Sequence, residues 1–280
     1  NKFKKYSSNL HSFYKKFEMP KSFYKKIIKH CNKKKIIFLT SVFGLDSFNF
    51  IKKHSPILKI ASFEYNYYEL LNEIIKKKIP FIVSTGCCNH KDILKLKNFF
   101  NKRKYNNFSI LHCGSSYPLD FKDANLNYIK KLKKIFPNNI VGYSDHTLNI
   151  SSCIAAVSLG ARIIEKHFTI SQKDGAPDSF FSLEEEQLKD MIKNIREVES
   201  SLGKEKKIIS KKIKIMKKST RSYYATSKFS KGTTIKEGMF KALRPYVKNS
   251  IKTDEFFDFV NKKLKKDIIK NDVLKKSHYK

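Results

Sequence analysis

Ile140-Val141-Gly142-Tyr143-Ser144-Asp145-His146-Thr147 and, a short way on, Ala161-Arg162-Ile163-Ile164-Glu165-Lys166-His167-Phe168-Thr169 decide how this chain is read. The apolar runs Ile140–Tyr143 and Ala161–Ile164 have the length and composition of strands, and Asn149–Leu159 between them reads as a helix. Strands joined by a helix lie parallel, so both strand ends emerge on the same side of the sheet. Each end carries a histidine, His146 and His167. Two imidazoles placed there can share one divalent metal. Imidazole suits Zn, Mn or Fe, and two protein ligands leave positions open for water or a substrate carbonyl. The plain alternative is that both are polar residues closing a strand.

Outward from this unit the same alternation continues. Pro20–Lys33 is a helix pattern with Phe23, Ile27, Ile28 and Cys31 on one side. Ile36–Thr40, Ile57–Ala61, Phe81–Ser84 and Ser109–Cys113 are further short apolar segments, with helix patterns such as Tyr68–Lys77, Lys91–Phe100 and Leu126–Phe136 in the gaps. Strands apolar on both faces, alternating with helices, predict a buried parallel sheet. After the last strand, Ser182 and Glu185 read as a capping box. Leu188, Met191, Ile192, Ile195, Val198 and Leu202 form an apolar stripe, and Gly203 ends the helix. The sum is six βα units, two short of a closed eight-stranded barrel.

Chemically useful side chains follow every strand: Thr40 and Ser41; Lys59, Ser62 and Glu64; Ser84 and Thr85; Ser115, Ser116 and Tyr117; Ser144 and His146; Lys166 and His167. In a βα barrel all of these lie on the C-terminal rim, where such folds do their chemistry. Hydroxyls and lysines around a metal site suit a small phosphorylated acid.

The net charge of +34 invites a nucleic-acid partner, and the residue types argue against one. Only five of the 59 basic residues are arginine, the side chain that reads base edges, and lysine is scattered over nearly every helix and loop. Abundant Asn, Ile, Phe and Tyr accompany it, all drawn from AT-rich codons, so base composition accounts for the bias. The positive field still favours an anionic substrate. No apolar run is long enough to span a bilayer and no signal-peptide pattern opens the sequence. Cys31, Cys87, Cys88, Cys113 and Cys153 are odd in number, which points to reduced thiols and a cytoplasmic protein.

Beyond Gly203 the character changes. The lysine-dominated Lys204–Lys218 reads as a linker with some helical tendency, which sets expected boundaries at 1–203, 204–219 and 220–280. Ser222–Ala225, Thr233–Ile235 and Phe240–Leu243 look like short strands around a Lys231-Gly232 turn. Phe229-Ser230-Lys231-Gly232-Thr233-Thr234-Ile235 has a faint echo in Ile268-Ile269-Lys270-Asn271-Asp272-Val273-Leu274. A small, mostly β module is expected.

Lys59-Ile60-Ala61-Ser62-Phe63-Glu64, Ser84-Thr85-Gly86, His112-Cys113-Gly114-Ser115-Ser116-Tyr117-Pro118, Tyr143-Ser144-Asp145-His146-Thr147 and Glu165-Lys166-His167-Phe168-Thr169 together resemble the sialic acid synthase family in order and spacing. The resemblance runs on through Arg244-Pro245 into a module similar to the SAF, or antifreeze-like, domain of those enzymes. Ala61-Ser62-Phe63-Glu64 and Asp174-Gly175-Ala176-Pro177-Asp178-Ser179-Phe180-Phe181-Ser182 look most like the pseudaminic acid synthase branch.

The resemblance implies a (β/α)8 barrel followed by the SAF-like domain, and a condensation of phosphoenolpyruvate with an N-acetylated amino sugar in its aldehyde form. For the pseudaminic branch the sugar is 2,4-diacetamido-2,4,6-trideoxy-L-altrose; the alternatives are N-acetylneuraminate or legionaminic acid synthesis. His146 and His167 would hold Mn, with Mg or Co as other candidates, and Glu64 and Lys59 join them as candidate catalytic groups. Thr40, Ser41, Ser62, Ser84, Ser115, Ser116 and Ser144 would bind substrate, with Tyr117 and Asp178 toward the sugar. Arg244 would reach a neighbouring subunit in a domain-swapped homodimer. A degenerate protein that only binds carbohydrate is the reading from another class.

Thr40-Ser41-Val42-Phe43 stands where the family has Ser-Thr-Pro-Phe, Cys87-Cys88 where it has a Met-small pair, Gly114 where a larger residue is usual, and Tyr246 where it has glycine after Arg-Pro. The family's first two strands have no counterpart before Ile36 and the chain opens on Asn1, so the expectation is a fragment, or else a decaying gene. Such a barrel would have open edges at the strands beginning at Ile36 and Ala161, a hazard for aggregation.

Overall fold

The computed structural model describes residues 9–207, 209–216 and 219–278. The chain divides after Gly203 into two compact units.

The first unit opens with helices α1 (Leu10–Phe17) and α2 (Lys21–Lys34), then alternates strand and helix. In order come β1 (Thr40–Ser41), α3 (Leu45–Ile51), β2 (Leu58–Ile60), α4 (Tyr68–Lys76), β3 (Phe81–Ser84), α5 (His90–Lys102), β4 (Phe108–Cys113), α6 (Tyr128–Ile135), β5 (Ile140–Asp145), α7 (Ser151–Ser158), β6 (Ile164–Lys166) and α8 (Glu185–Leu202). The six strands form one sheet in sequential order, every pair parallel, with β1 and β6 at its edges. Sequential order with helical crossovers sends every strand's C-terminal end to one rim, the geometry expected of a barrel wall.

The core lies where the sheet meets its helices. Leu58, Ile60, Phe81, Val83, Ile110 and Tyr143 from the strands pack with Leu70, Leu71 and Ile74 of α4, Leu96 and Phe100 of α5 and Ile129 and Leu132 of α6. Phe100 and Phe108 pack at 4.2 Å between ring centroids, and Phe81 stacks on Tyr105 at 5.9 Å. Asn89 caps α5 by accepting from the Asp92 N–H, and the Asp92 carboxylate returns the bond to the Asn89 N–H. Lys35, Lys78 and Lys104, which follow α2, α4 and α5, have φ of 55°, 55° and 50°, a left-handed position that glycine usually fills.

Several expected boundaries move. The first strand is only Thr40–Ser41, because the residues before its partner Leu58 are in turns and offer Ile36–Leu39 no ladder. Ile36 and Ile37 are left exposed. The strand expected at Ala161–Ile164 begins at Ile164 and runs to Lys166, although Arg162 already donates to the Val141 carbonyl. Ser182 does not cap α8: its hydroxyl is turned to the Asp178 carbonyl at 2.7 Å, and Glu184 with Gln187 forms the capping box. In the expected stripe Met191 is buried, whereas Ile192 and Leu202 are about half exposed.

The second unit holds α9 (Lys211–Met216) and an antiparallel pair, β7 (Ser222–Ala225) with β8 (Phe240–Leu243). Thr233–Ile235 is not a strand; Thr234 makes a single bridge to Lys263. The sequence echo has a structural meaning. Phe229 and Ile268 exchange both backbone hydrogen bonds, and the bonds around them come in matched pairs. Ala225 N–H to Asp272 is matched by Leu264 N–H to Thr233, and Gly232 N–H to Leu264 by Asn271 N–H to Ala225. Gly232 (φ 89°) and Asn271 (φ 69°) occupy equivalent turn positions, and Ile235 and Leu274 are equivalent buried anchors. The unit therefore has an internal pseudo-two-fold, centred on Phe229 and Ile268. Among the described residues no helix is long and apolar enough to cross a membrane.

Candidate active site

The C-terminal ends of β2 to β6 bring three groups of side chains together. At the first, Lys59 on β2 is almost fully buried and its ammonium lies 3.3 Å from Glu165 Oε1 on β6. Ser144 on β5, which stands opposite Glu165 in register, donates to the same oxygen at 2.7 Å. Ser41, at the end of β1, is Lys59's register partner on the other side, and the Thr40 hydroxyl turns to the Ser41 carbonyl. A buried cation is thus held at the strand ends against a carboxylate that a serine hydroxyl also binds.

The second group lies at the ends of β2, β3 and β4. Ser62 Oγ accepts from the Gly86 N–H at 3.0 Å and lies 3.5 Å from Cys113 Sγ. A Cβ on Gly86 would run into Ser115 Oγ and come within 2.9 Å of both Cys113 Sγ and Ser62 Oγ, so glycine keeps this corner open. The Ser84 hydroxyl and Glu64 Oε2 are buried without a hydrogen-bond partner among the described residues. Burial pushes the Glu64 carboxyl above the usual carboxylate range, against the pull of Lys59. The Thr85 hydroxyl is used structurally, donating to the Leu111 carbonyl.

The third group holds the two histidines. His146, directly after β5, and His167, directly after β6, have ring centroids 5.1 Å apart. His146 Nδ1 lies 2.7 Å from the Gly114 carbonyl. A carbonyl can only accept, so Nδ1 carries the proton and Nε2 keeps its lone pair. The Leu119 N–H donates to the His146 carbonyl, and the Leu183 N–H to that of His167, fixing both backbones. Burial lowers the pKa of both imidazoles, and His167 is lowered further by its neighbour His146. Two adjacent imidazoles that burial keeps neutral more readily, one with its second nitrogen committed to a carbonyl, are donors a divalent ion can use, and among the described residues no third His, Cys, Asp or Glu completes a cluster with them. Asp178 lies 3.8 Å from His167 Nδ1. Tyr117 packs on His146 at 4.3 Å between centroids and on His167 at 6.1 Å, and burial pushes its hydroxyl up to about 12.

The remaining expected residues are placed differently. Ser116 is exposed, and Arg244 is an exposed residue of the second unit. His112, though in a quoted motif, donates from Nε2 to the Ala124 carbonyl and stacks on Tyr143, so it braces the core. Lys166 belongs to a closed network with Asp145 and is not a pocket cation. Sequence reasoning missed Glu165 and Phe181, whose fully buried ring lies 4.8 Å from that of His167. Glu165 carried a signal, an acid two residues before a strand-end histidine. Phe181 carried none, since its neighbour Phe180 is of the same type and is exposed.

Residues 1–207 match the NeuB family. Pseudaminic acid synthase of Campylobacter jejuni is 34% identical over 271 residues, which covers 96% of this chain and 78% of that protein. N,N'-diacetyllegionaminic acid synthase of the same species is 35% identical over 88% of this chain and 74% of that one. Among solved structures, N-acetylneuraminic acid synthetase of Leptospira borgpetersenii superposes with a TM-score of 0.69 at 30% identity, covering 77% of this chain and 76% of that one.

Proposed function

The chain belongs to the NeuB family, and from that premise we propose that it is a pseudaminic acid synthase. It would join phosphoenolpyruvate to the aldehyde of 2,4-diacetamido-2,4,6-trideoxy-L-altrose, for surface or flagellar glycan synthesis in the cytoplasm. The enol carbon forms a C–C bond to the aldehyde carbon, water adds at the adjacent carbon, and the C–O bond to phosphate breaks. A nonulosonic acid and inorganic phosphate are the products. The observation that carries this reading is the convergence of Lys59, Ser144 and Glu165 with His146 and His167 on one rim.

In this reading Lys59, Ser62, Ser84, Ser115 and Ser144, with Thr40 or Ser41, hold the phosphate and carboxylate. The Ser84 hydroxyl, buried with no partner among the described residues, suits that role because a buried donor needs an acceptor. Glu64, kept protonated more readily by burial, moves a proton near the forming bond. Tyr117 and Asp178 orient the sugar. His146 and His167 would hold Mn, or Mg or Co in its place. Bound there, the ion would supply Lewis acidity toward a carbonyl oxygen or water.

In this reading the sheet would be six strands of a (β/α)8 barrel, residues 204–219, which include α9, would be a linker, and residues 220–280 would be an SAF-like domain. Arg244 on that domain would reach the sugar in a partner subunit of a homodimer. The test is metal-dependent phosphate release from phosphoenolpyruvate with three acceptors. Turnover with the 2,4-diacetamido altrose sugar and little with N-acetylmannosamine is the expected result. Preference for the legionaminic precursor is the second reading, which the 35% identity to that synthase favours. No phosphate release with any acceptor would leave a carbohydrate-binding remnant. Mixing Arg244→Ala with His146→Ala subunits should restore part of the activity if the dimer is swapped.

A further inference from the structure

Lys166 and Asp145 immediately precede His167 and His146 and are register partners at the ends of β6 and β5. Their side chains are 2% and 0% exposed, and the ammonium donates to Asp145 Oδ2 at 2.7 Å. It also donates to the Thr147 carbonyl and, at 3.2 Å, to that of Asn149. All three of its protons are therefore committed, leaving none for a substrate anion.

Asp145 is equally saturated. Oδ1 accepts from the Tyr143 hydroxyl and the Thr147 N–H, both at 3.0 Å. Oδ2 accepts from Lys166, from the Thr147 hydroxyl at 3.1 Å and from Cys153 Sγ, on α7, at 3.2 Å. The partners of this network lie on both sides of His146, at 145, 147 and 149, and are tied to the residue next to His167. A buried ion pair adds little net stability, because desolvation offsets its attraction; one with every proton and lone pair matched fixes geometry.

We propose that Lys166 and Asp145 are positioning residues that set the separation and orientation of the His146 and His167 imidazoles. The inference rests on the reading of those histidines as ligands of one divalent ion. Outer groups that orient metal ligands typically change affinity 10- to 100-fold when removed.

The test uses Co²⁺ as probe on the full chain, reading the dissociation constant and the visible absorption of the bound ion. His146→Ala should abolish binding. Lys166→Met and Asp145→Asn should each weaken it about 10- to 100-fold and alter the spectrum, with far-ultraviolet circular dichroism unchanged. Either single variant leaves one buried charge without its partner and can fail to fold. The double variant Asp145→Asn/Lys166→Met removes both charges, and should fold and show the same weakened, altered Co²⁺ site. Wild-type affinity and spectrum in the double variant, with binding lost in His146→Ala, would overturn the positioning role and leave the metal reading intact. Unchanged Co²⁺ binding by His146→Ala would overturn the metal reading and this inference with it.

Discussion

The Lys59 ammonium and the Glu165 carboxylate meet at 3.3 Å, although they come from strands β2 and β6, and Ser144 holds the same carboxylate oxygen at 2.7 Å. Glu165 is thus the group that aims the buried cation. Lys59→Met should lower kcat/KM for phosphoenolpyruvate by roughly 100-fold or more, the scale of truncating the buried member of a close charge pair. Glu165→Gln should cost less, about 10-fold, because an amide oxygen still accepts from Ser144 and Lys59. Phosphate release against phosphoenolpyruvate concentration measures both, and equal losses in the two variants would contradict the assignment.

Stability should fall as the pH drops below the ordinary imidazole value. Burial lowers the pKa of His112, His146 and His167 from 6.5 in the folded chain. The unfolded chain therefore takes up these protons first, near 6.5, and each such proton favours unfolding. The contribution is complete above about 6.5 and is lost as the pH falls from there toward the lowered folded values. Thermal melts between about pH 5 and pH 8 should show this slope, reduced in His146→Ala and in His167→Ala. An identical pH slope in both variants would exclude these imidazoles as its source.

Gly86→Ala should remove activity out of proportion to its effect on folding. The added methyl meets Ser115 Oγ, Cys113 Sγ and Ser62 Oγ, the walls of the polar corner. Overpacking of this kind costs about 1–3 kcal/mol of stability. The activity should fall about 100-fold or more, since the corner itself is what the methyl fills, a misplacement of the kind that costs that much. Turnover close to wild type would show that this corner does not hold substrate.

Glycine at the left-handed helix ends should stabilise the chain. Lys78 and Lys104 sit at φ 55° and 50°, where a Cβ is disfavoured. Lys78→Gly and Lys104→Gly should each raise stability by up to about 1 kcal/mol, read as the midpoint of denaturant unfolding. A lower midpoint in both would mean that those lysine side chains contribute more than the backbone strain costs.

The order of the elements was legible in the chain because burial on both faces leaves a continuous apolar mark. Phe81–Ser84 and the long helix ending at Gly203 are where that reading places them. It failed at Ile36–Leu39, which has the composition of a strand but no neighbour with which to pair, so that only Thr40 of the expected segment joins the sheet. The second unit's repeat was faintly legible at Phe229 and Ile268, and its reciprocal bonding was not, since backbone pairing leaves no residue type behind. At the site, the hydroxyls and histidines could be listed from strand ends alone. Which lysine faces the pocket could not: Lys59 and Lys166 look alike in sequence, yet one meets Glu165 and Ser144 while the other is consumed by Asp145 and two carbonyls. The sequence determines which groups reach the rim, because apolar periodicity sets where each strand ends. Only the tertiary structure decides which of those groups remain free for chemistry, because that depends on hydrogen bonds made across strands far apart in the chain.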